Sequence, residues 1–309
     1  MSEHETPIAA ALPPVLLLVF NRPETTRRVF AELRAARPPR LYLAADGPRP
    51  HKPGEDALCL EVREIVRAVD WPCEVKTLFR EENLGCRRAV AGAIDWLFEH
   101  EEAGVILEDD CLPAPDFLRY CAYALQRWRD EPRVMHVGGT ALVDHHGPEA
   151  MLFSRLVPIT GWATWRRAWR LFDPAMSRIG ELDRMPLRDW YGRQAGNVRR
   201  AIRQIHDRQV NAWGARWVLT VMVHDGLSVL PRVNLISNIG YDPAATNTTF
   251  DSHLANLPTG RLPAVLDAPQ VLANRQAYDE AYLAVLNRRT QLLRRAWRRL
   301  TQLLSARRP

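Results

Sequence analysis

A chain of 309 residues and 35.3 kDa, 47% hydrophobic and 25% charged, lies within the globular range and can bury a sizeable core, which excludes a chain disordered throughout. Its net charge of +6 and pI of about 9.3 invite an anionic partner. The charge is uneven, however: no acid follows Glu280 while eight arginines do, from Arg288 to Arg308, leaving a body of 34 basic and 36 acidic residues.

Five cysteines with no CxxC or Cys/His metal spacing argue against a disulfide framework and fit a reducing cytosol. The apolar run Ile8–Phe20 is broken by Pro13 and Pro14 and preceded by acids, so it reads as neither signal peptide nor spanning helix. No other stretch is long enough to cross a bilayer.

Residues 1–12 form a tail. Val15–Phe20 is a continuous aliphatic run, the pattern of a strand covered on both faces, and Asn21-Arg22-Pro23 ends it. Helix follows over Glu24–Ala36, then strand Arg40–Ala45 ending at Asp46-Gly47-Pro48, helix Ala57–Val69, strand Glu74–Arg80, helix Arg87–Glu99 and strand Gly104–Leu107. This alternation predicts an α/β fold with a mostly parallel sheet flanked by helices, its ligand groups at the carboxyl ends of the strands. Asn21-Arg22, Asp46-Gly47 and Glu108-Asp109-Asp110 all fall at such ends and converge on one crevice.

Beyond Asp110 come proline-punctuated loops, a helix over Asp116–Trp128, a strand over Arg133–Gly138, and a segment holding six of the ten tryptophans, Trp162 to Trp217. Leu227–Leu230 and Asn234–Ile239 read as strands. The main domain spans 13–250 and divides into halves at 13–115 and 116–250. Residues 251–274 form a loop or wrap, and 275–309 a basic amphipathic segment, helical over Arg275–Leu304.

Three carboxylates after a buried strand can divide their work, since side chains alternate along extended backbone. One can hold a divalent cation shared with substrate phosphates while another accepts from a sugar hydroxyl. Upstream, Gly85 at a helix entry lets backbone approach a ligand, and a helix N-terminus with Arg87 and Arg88 favours an anion such as diphosphate.

The order Phe20-Asn21-Arg22-Pro23, Asp46-Gly47, Asn83-Leu84-Gly85-Cys86, Ile106-Leu107-Glu108-Asp109-Asp110-Cys111-Leu112-Pro113, Gly161-Trp162-Ala163-Thr164-Trp165, Trp213-Gly214-Ala215-Arg216-Trp217 and Asn234-Leu235-Ile236-Ser237-Asn238-Ile239-Gly240 resembles bacterial GT-A nucleotide-sugar glycosyltransferases, and more distantly the N-acetylglucosaminyltransferase I group. The resemblance covers Val15 to Thr249 and implies that 13–115 is the nucleotide-sugar-binding half and 116–250 the acceptor half. It implies a GT-A type, Rossmann-like fold and transfer of a sugar, an N-acetylhexosamine among the candidates, from a nucleotide-diphosphate donor such as a UDP-sugar to a hydroxyl, with inversion. The acceptor would be a glycan or a lipid-linked molecule. By the same resemblance Asp110 would hold Mn²⁺ (or Mg²⁺), Asp109 the ribose, Asp46 the base, Arg22 the diphosphate and Glu108 the donor sugar. Asn21, Asn83, Gly85 and Arg88 would complete the donor site.

Two positions depart from the relatives: Gly214 stands where the distant group has an Asp beside the tryptophan of its base motif, and Asn247 where a metal-binding His is common. The identity of the base stays open. These departures keep a second reading in play, a non-catalytic subunit that binds a nucleotide sugar or glycan at the membrane. A nucleotidyltransferase is disfavoured because Asn21-Arg22-Pro23 lacks a glycine-rich loop.

Most of the tryptophans read as core packing. Trp162, beside Gly161, is the one assigned to stack on a sugar ring, with Trp213 and Arg216 near the acceptor. In Leu286–Leu304, Leu and Trp recur at i+3/i+4 with arginines between and no acid, the pattern of a helix on an anionic membrane surface. No nucleic-acid-binding motif accompanies the arginines. The protein is therefore expected to be cytoplasmic and peripheral at the inner face of the membrane. Deleting the residues after Leu286 is expected to abolish salt-sensitive sedimentation with anionic vesicles while leaving donor binding intact; continued sedimentation would exclude this use of the charge.

Overall fold

A computed structural model describes residues 11–144, 147–241 and 252–288. In its first half β1 (Val15–Val19), α1 (Pro23–Ala36), β2 (Arg40–Ala45), α2 (Glu55–Arg67), β3 (Glu74–Phe79), α3 (Cys86–His100) and β4 (Ala103–Glu108) alternate as the sequence predicts. Then follow β5 (Cys111–Pro113), α4 (Phe117–Arg127), β6 (Val134–Gly138), β7 (Met151–Ser154), β8 (Trp162–Trp165), α5 (Arg166–Trp169), α6 (Leu187–Tyr191), α7 (Ala195–Asp207), α8 (Gly214–Val223), β9 (Leu227–Pro231), β10 (Ile236–Asn238) and α9 (Gln276–Leu286). Pro23 occupies the first turn of α1, where its missing N–H costs nothing, and Arg37 closes that helix in the left-handed region.

Eight strands form one sheet in the order β3-β2-β1-β4-β8-β6-β9-β7, and β5 pairs with β10 in a small second sheet. β1 to β4 are parallel, as are β6 and β9, while β8 and β7 run antiparallel to their neighbours. The fold is thus α/β with a large, mostly parallel mixed sheet flanked by helices, compatible with a Rossmann-like arrangement.

Alternation along β1 shows how the layers arise. Val15, Leu17 and Val19 join a core with α1, α2 and α4, whereas Leu16 and Leu18 face α3 and the tryptophans on the opposite side. A third cluster lies beneath α6, α7 and α9. Residues 252–275 hold no helix or strand and wrap the body as expected: Leu262 and Leu266 are buried, Asp116 accepts from the Leu262 N–H, and Arg119 donates to the carbonyls of Pro263 and Ala264.

The structure departs from the sequence reading at several elements of the second half. β7 and β8 were not anticipated, and β8 enters reversed between β4 and β6, so the sheet is mixed. The tryptophans of Trp162–Trp165 carry helix-like spacing, but this short segment is buried on both faces as a strand. α9 covers Gln276–Leu286, Asn287 forms a turn and Arg288 is helical again; the remainder of the expected helix, from 289, lies outside the described residues, as does Asn247. Among the described residues no helix is long and apolar enough to cross a membrane.

His136 ties the tryptophan layer to β6. Its ring is fully buried and stacks on Trp162 with centroids 5.1 Å apart; Nε2 donates to the Pro158 carbonyl at 2.9 Å and Nδ1 accepts from the Trp217 indole N–H at 3.2 Å. Burial pushes its pKa down to about 3, against the weaker opposing effect of the Pro158 bond. A depressed histidine favours the neutral form in the fold, so its contribution is complete above about 6.5 and is lost as pH falls toward 3. Urea unfolding should therefore show about 3 kcal/mol of His136-dependent loss between pH 6.5 and 4. His136→Asn, whatever its baseline cost, should lack that component, and equal pH slopes for the two proteins would refute the assignment.

Candidate functional site

Successive connections leave β1 toward β2 and then return to place β4 on its other side, so the loops after β1 and β4 diverge and open a crevice at this switch point. A cavity of about 340 Å³ fills it, lined by Asn21, Arg22, Asp46, Asn83, Gly85, Glu108, Asp109 and Asp110 among others. All of the donor and metal residues expected from the sequence except Arg88 are therefore gathered there. Arg88 is exposed on α3 and does not line the cavity; the arginines that do are Arg22, Arg49 and Arg80.

The acidic run is held from both sides. Asp109 is buried and accepts from the Phe20 N–H at 3.1 Å, fastening the end of β4 to the end of β1. Asp110 pairs with Arg22 at 3.0 Å. Burial pushes the Glu108 carboxyl up to about 8, with the Asp110 and Asp109 charges adding and Arg22 opposing. Burial likewise raises Asp109 to about 7, reinforced by Asp110. A cation brought into this cluster would be favoured by each of these carboxylates.

Other polar groups shape the walls. Asp46 spends its carboxylate on the next loop, accepting from the Leu84 and Gly85 N–H groups at 3.0–3.1 Å, and the Asn83 amide donates to the Gly47 carbonyl at 2.7 Å. A side chain at Gly47 would overlap the Glu81 and Glu82 backbone, so the loop can cross this turn only over glycine. Asp46 thus fixes the loop and also lines the cavity at the position where the base was expected. The α3 N-terminus is less open than expected, because Asp46 takes the Gly85 N–H and Asn211 that of Arg87.

Glu55, buried at the start of α2, accepts from the Asn21 amide at 2.9 Å and from Arg49, whose guanidinium lies 5.5 Å from the Phe20 ring. The Arg49 bonds and charge hold the Glu55 carboxyl below its usual value, although burial opposes this. Sequence reasoning missed Arg49, Glu55, Arg80 and Tyr241. Arg49, three residues past Asp46 at a strand end, carried a usable positional signal; Glu55 did not.

Across the mouth, β10 brings Asn238, Gly240 and Tyr241 to the crevice, with the Ile239 N–H bonded to the Asp110 carbonyl. Gly240 packs directly on the Arg22–Asp110 pair, and a Cβ there would overlap both side chains.

Three expected acceptor residues do not fit that role. Trp162 and Trp213 are 1% and 2% exposed and stack on each other 5.5 Å apart inside the core, so neither offers a face to a sugar. Arg216 is also buried and donates to the carbonyls of Pro174, Val210 and Ala212, holding the turn before α8.

No protein-family model matches the chain, and no curated protein matches it. Among the described residues no cluster of at least three His, Cys, Asp or Glu side chains is arranged to enclose a metal ion unaided.

Because Glu55 alone satisfies the Asn21 amide and the Arg49 guanidinium together, Glu55→Ala should destabilise the fold by about 2 kcal/mol in denaturant unfolding. Glu55→Gln should recover part of this; a loss below about 0.5 kcal/mol would show the pairings to be dispensable.

Proposed function

We propose that this protein is a divalent-metal-dependent glycosyltransferase of GT-A type, moving a sugar from a nucleotide-diphosphate donor to a hydroxyl of a glycan or lipid-linked acceptor. The observation that carries the reading is the run Glu108-Asp109-Asp110 at the end of β4 facing Arg22 at the end of β1 across the switch-point crevice.

Charge supports it. Four carboxylates and three arginines line the cavity, and Arg49 is balanced further by Glu55. A diphosphate alone would add to an acidic excess, whereas a divalent cation together with a diphosphate suits this lining. The donor set is oxygen, which fits Mn²⁺ or Mg²⁺. Asp110, half-buried at the outer end of the run, would be the protein ligand, with diphosphate and water completing the coordination. When bound, the metal supplies charge neutralisation to the departing diphosphate.

The protein's own groups do the rest. Arg22 and Arg80 bring fixed positive charge to the phosphates, and the Phe20 N–H holds Asp109 inward. The reaction forms a bond between the anomeric carbon and the acceptor oxygen. It breaks the bond from that carbon to the diphosphate, which leaves with the electron pair, while the hydroxyl proton is released.

A non-catalytic binding subunit is the second reading, favoured by Gly214. It lies in the first turn of α8, packed against Ile159, at the position where the group that the chain distantly resembles carries an Asp. The proposed location is cytoplasmic and peripheral at the inner face of the membrane.

A nucleotide-sugar panel should raise the melting temperature in the presence of Mn²⁺. Asp110→Ala should remove the Mn²⁺-dependent part of that shift and lower any transfer or donor hydrolysis at least 100-fold. Absence of a shift with every donor, with or without Mn²⁺, would overturn the proposal; tight binding without turnover would favour the second reading.

A further inference from the structure

A second cavity, of about 400 Å³, adjoins the crevice, and Asn238 and Tyr241 line both. Its walls come from the segment 155–160, one side of α7, the first turns of α8 and the end of α9, with Ile205, Ala215, Leu283 and Leu286 among the lining residues. Among the described residues no Asp, Glu, Lys or His lines it, and the one charged residue of that lining is engaged elsewhere. Arg155 pairs with Asp225 at 2.7 Å, donates to the Gly226 carbonyl at 3.2 Å and lies 4.4 Å from the Trp190 ring.

The polar side chains of this lining are largely satisfied within the protein. The Thr140 and Tyr282 hydroxyls bond each other at 3.0 Å, Tyr191 donates to the Arg155 carbonyl at 2.7 Å, Asn197 donates to Gln194 at 2.9 Å, and Asn238 accepts from the Gly240 N–H at 2.9 Å. A purely saccharide ligand would bury its hydroxyls here with few groups left to bond them, at a cost for each. An aliphatic chain meets no such cost and gains about fourfold in affinity for every methylene removed from water.

We infer that this cavity receives the aliphatic chain of a lipid-linked acceptor whose hydroxyl end reaches the crevice past Asn238 and Tyr241. The inference rests on the glycosyltransferase reading and selects the lipid-linked class from the two acceptors that reading allows. The wall that the two cavities share at Asn238 and Tyr241 supports it, because the chain and the reacting end can be held at once on either side of one short segment. Charge supports it as well. The rim at Leu286 and Asn287 is followed directly by Arg288 and the arginine-rich sequence, a composition suited to the anionic surface on which a lipid acceptor resides.

The test is displacement of a dansyl-labelled dodecanol from the full-length protein by straight-chain alcohols of six to fourteen carbons and by geraniol and farnesol, below their micelle concentrations. Affinity should rise about fourfold per methylene until the cavity is full and then level off. The isoprenols and the straight-chain alcohols of equal carbon number distinguish a polyisoprenoid from an acyl chain. Ala215→Trp, which fills the cavity, and Ile205→Glu, which charges its wall, should each weaken the probe at least tenfold, with melting temperature and far-UV circular dichroism confirming that both fold.

Two results would overturn the inference while leaving the donor site intact: nucleotide sugars bind but no alcohol displaces the probe, or both variants bind it as the parent does. Alcohol binding with no nucleotide-sugar binding would instead overturn the glycosyltransferase reading, and the acceptor role with it.

Discussion

Successive carboxylates at the end of a buried strand lose solvation and repel one another, and much of the molecule is arranged around that cost. Asp109 recovers part of it from the Phe20 N–H, and Asp110 from Arg22. Both partners belong to the end of β1, which pairs in register with β4 so that Leu18 stands beside Glu108. The sheet therefore fixes more than the positions of the acids. It supplies their compensation from the neighbouring strand, while burial and the two neighbouring charges raise the Glu108 carboxyl. A cluster kept short of full compensation is one that a cation can complete.

The second half of the chain serves this arrangement indirectly. β8, inserted antiparallel beside β4, carries Trp162 into the layer opposite α1 and α2, where Trp169, Trp213 and Trp217 pack on it. That packing seats α8. β10, held by β5 immediately after the acid run, then lays residues 238–241 between the crevice and the apolar cavity. Donor groups thus come mainly from the first half and the apolar lining from the second, with one short segment common to both.

β1, β2 and β4 were legible because each is a compact apolar run ended by polar residues, and the same punctuation revealed the site: Asn21-Arg22, Asp46-Gly47 and the acids after Leu107. β7 and β8 were not legible. Each has four residues, too few to establish a period, and burial on both faces erases the alternation that marks a strand. Glu55 and Arg80 escaped notice for a different reason. Their parts in the crevice depend on contacts between separate elements, as when Glu55 meets Asn21 across 34 residues of sequence. Arg216 shows the converse error: an arginine between two tryptophans looked chemically active, yet backbone carbonyls absorb its hydrogen bonds. Asp46 stood at the expected place, but its second part, fixing the loop after β3, depends on backbone groups that the sequence does not show.

The indole cluster has an optical consequence. Rings of Trp162, Trp169, Trp213 and Trp217 lie 5.2–6.2 Å apart, close enough for their excited states to couple. Their combined near-ultraviolet dichroism is a property of the assembled layer and vanishes when the rings separate, even if the strands persist. The chain therefore carries an intrinsic chromophore for side-chain order on one face of its sheet, readable apart from the backbone signal.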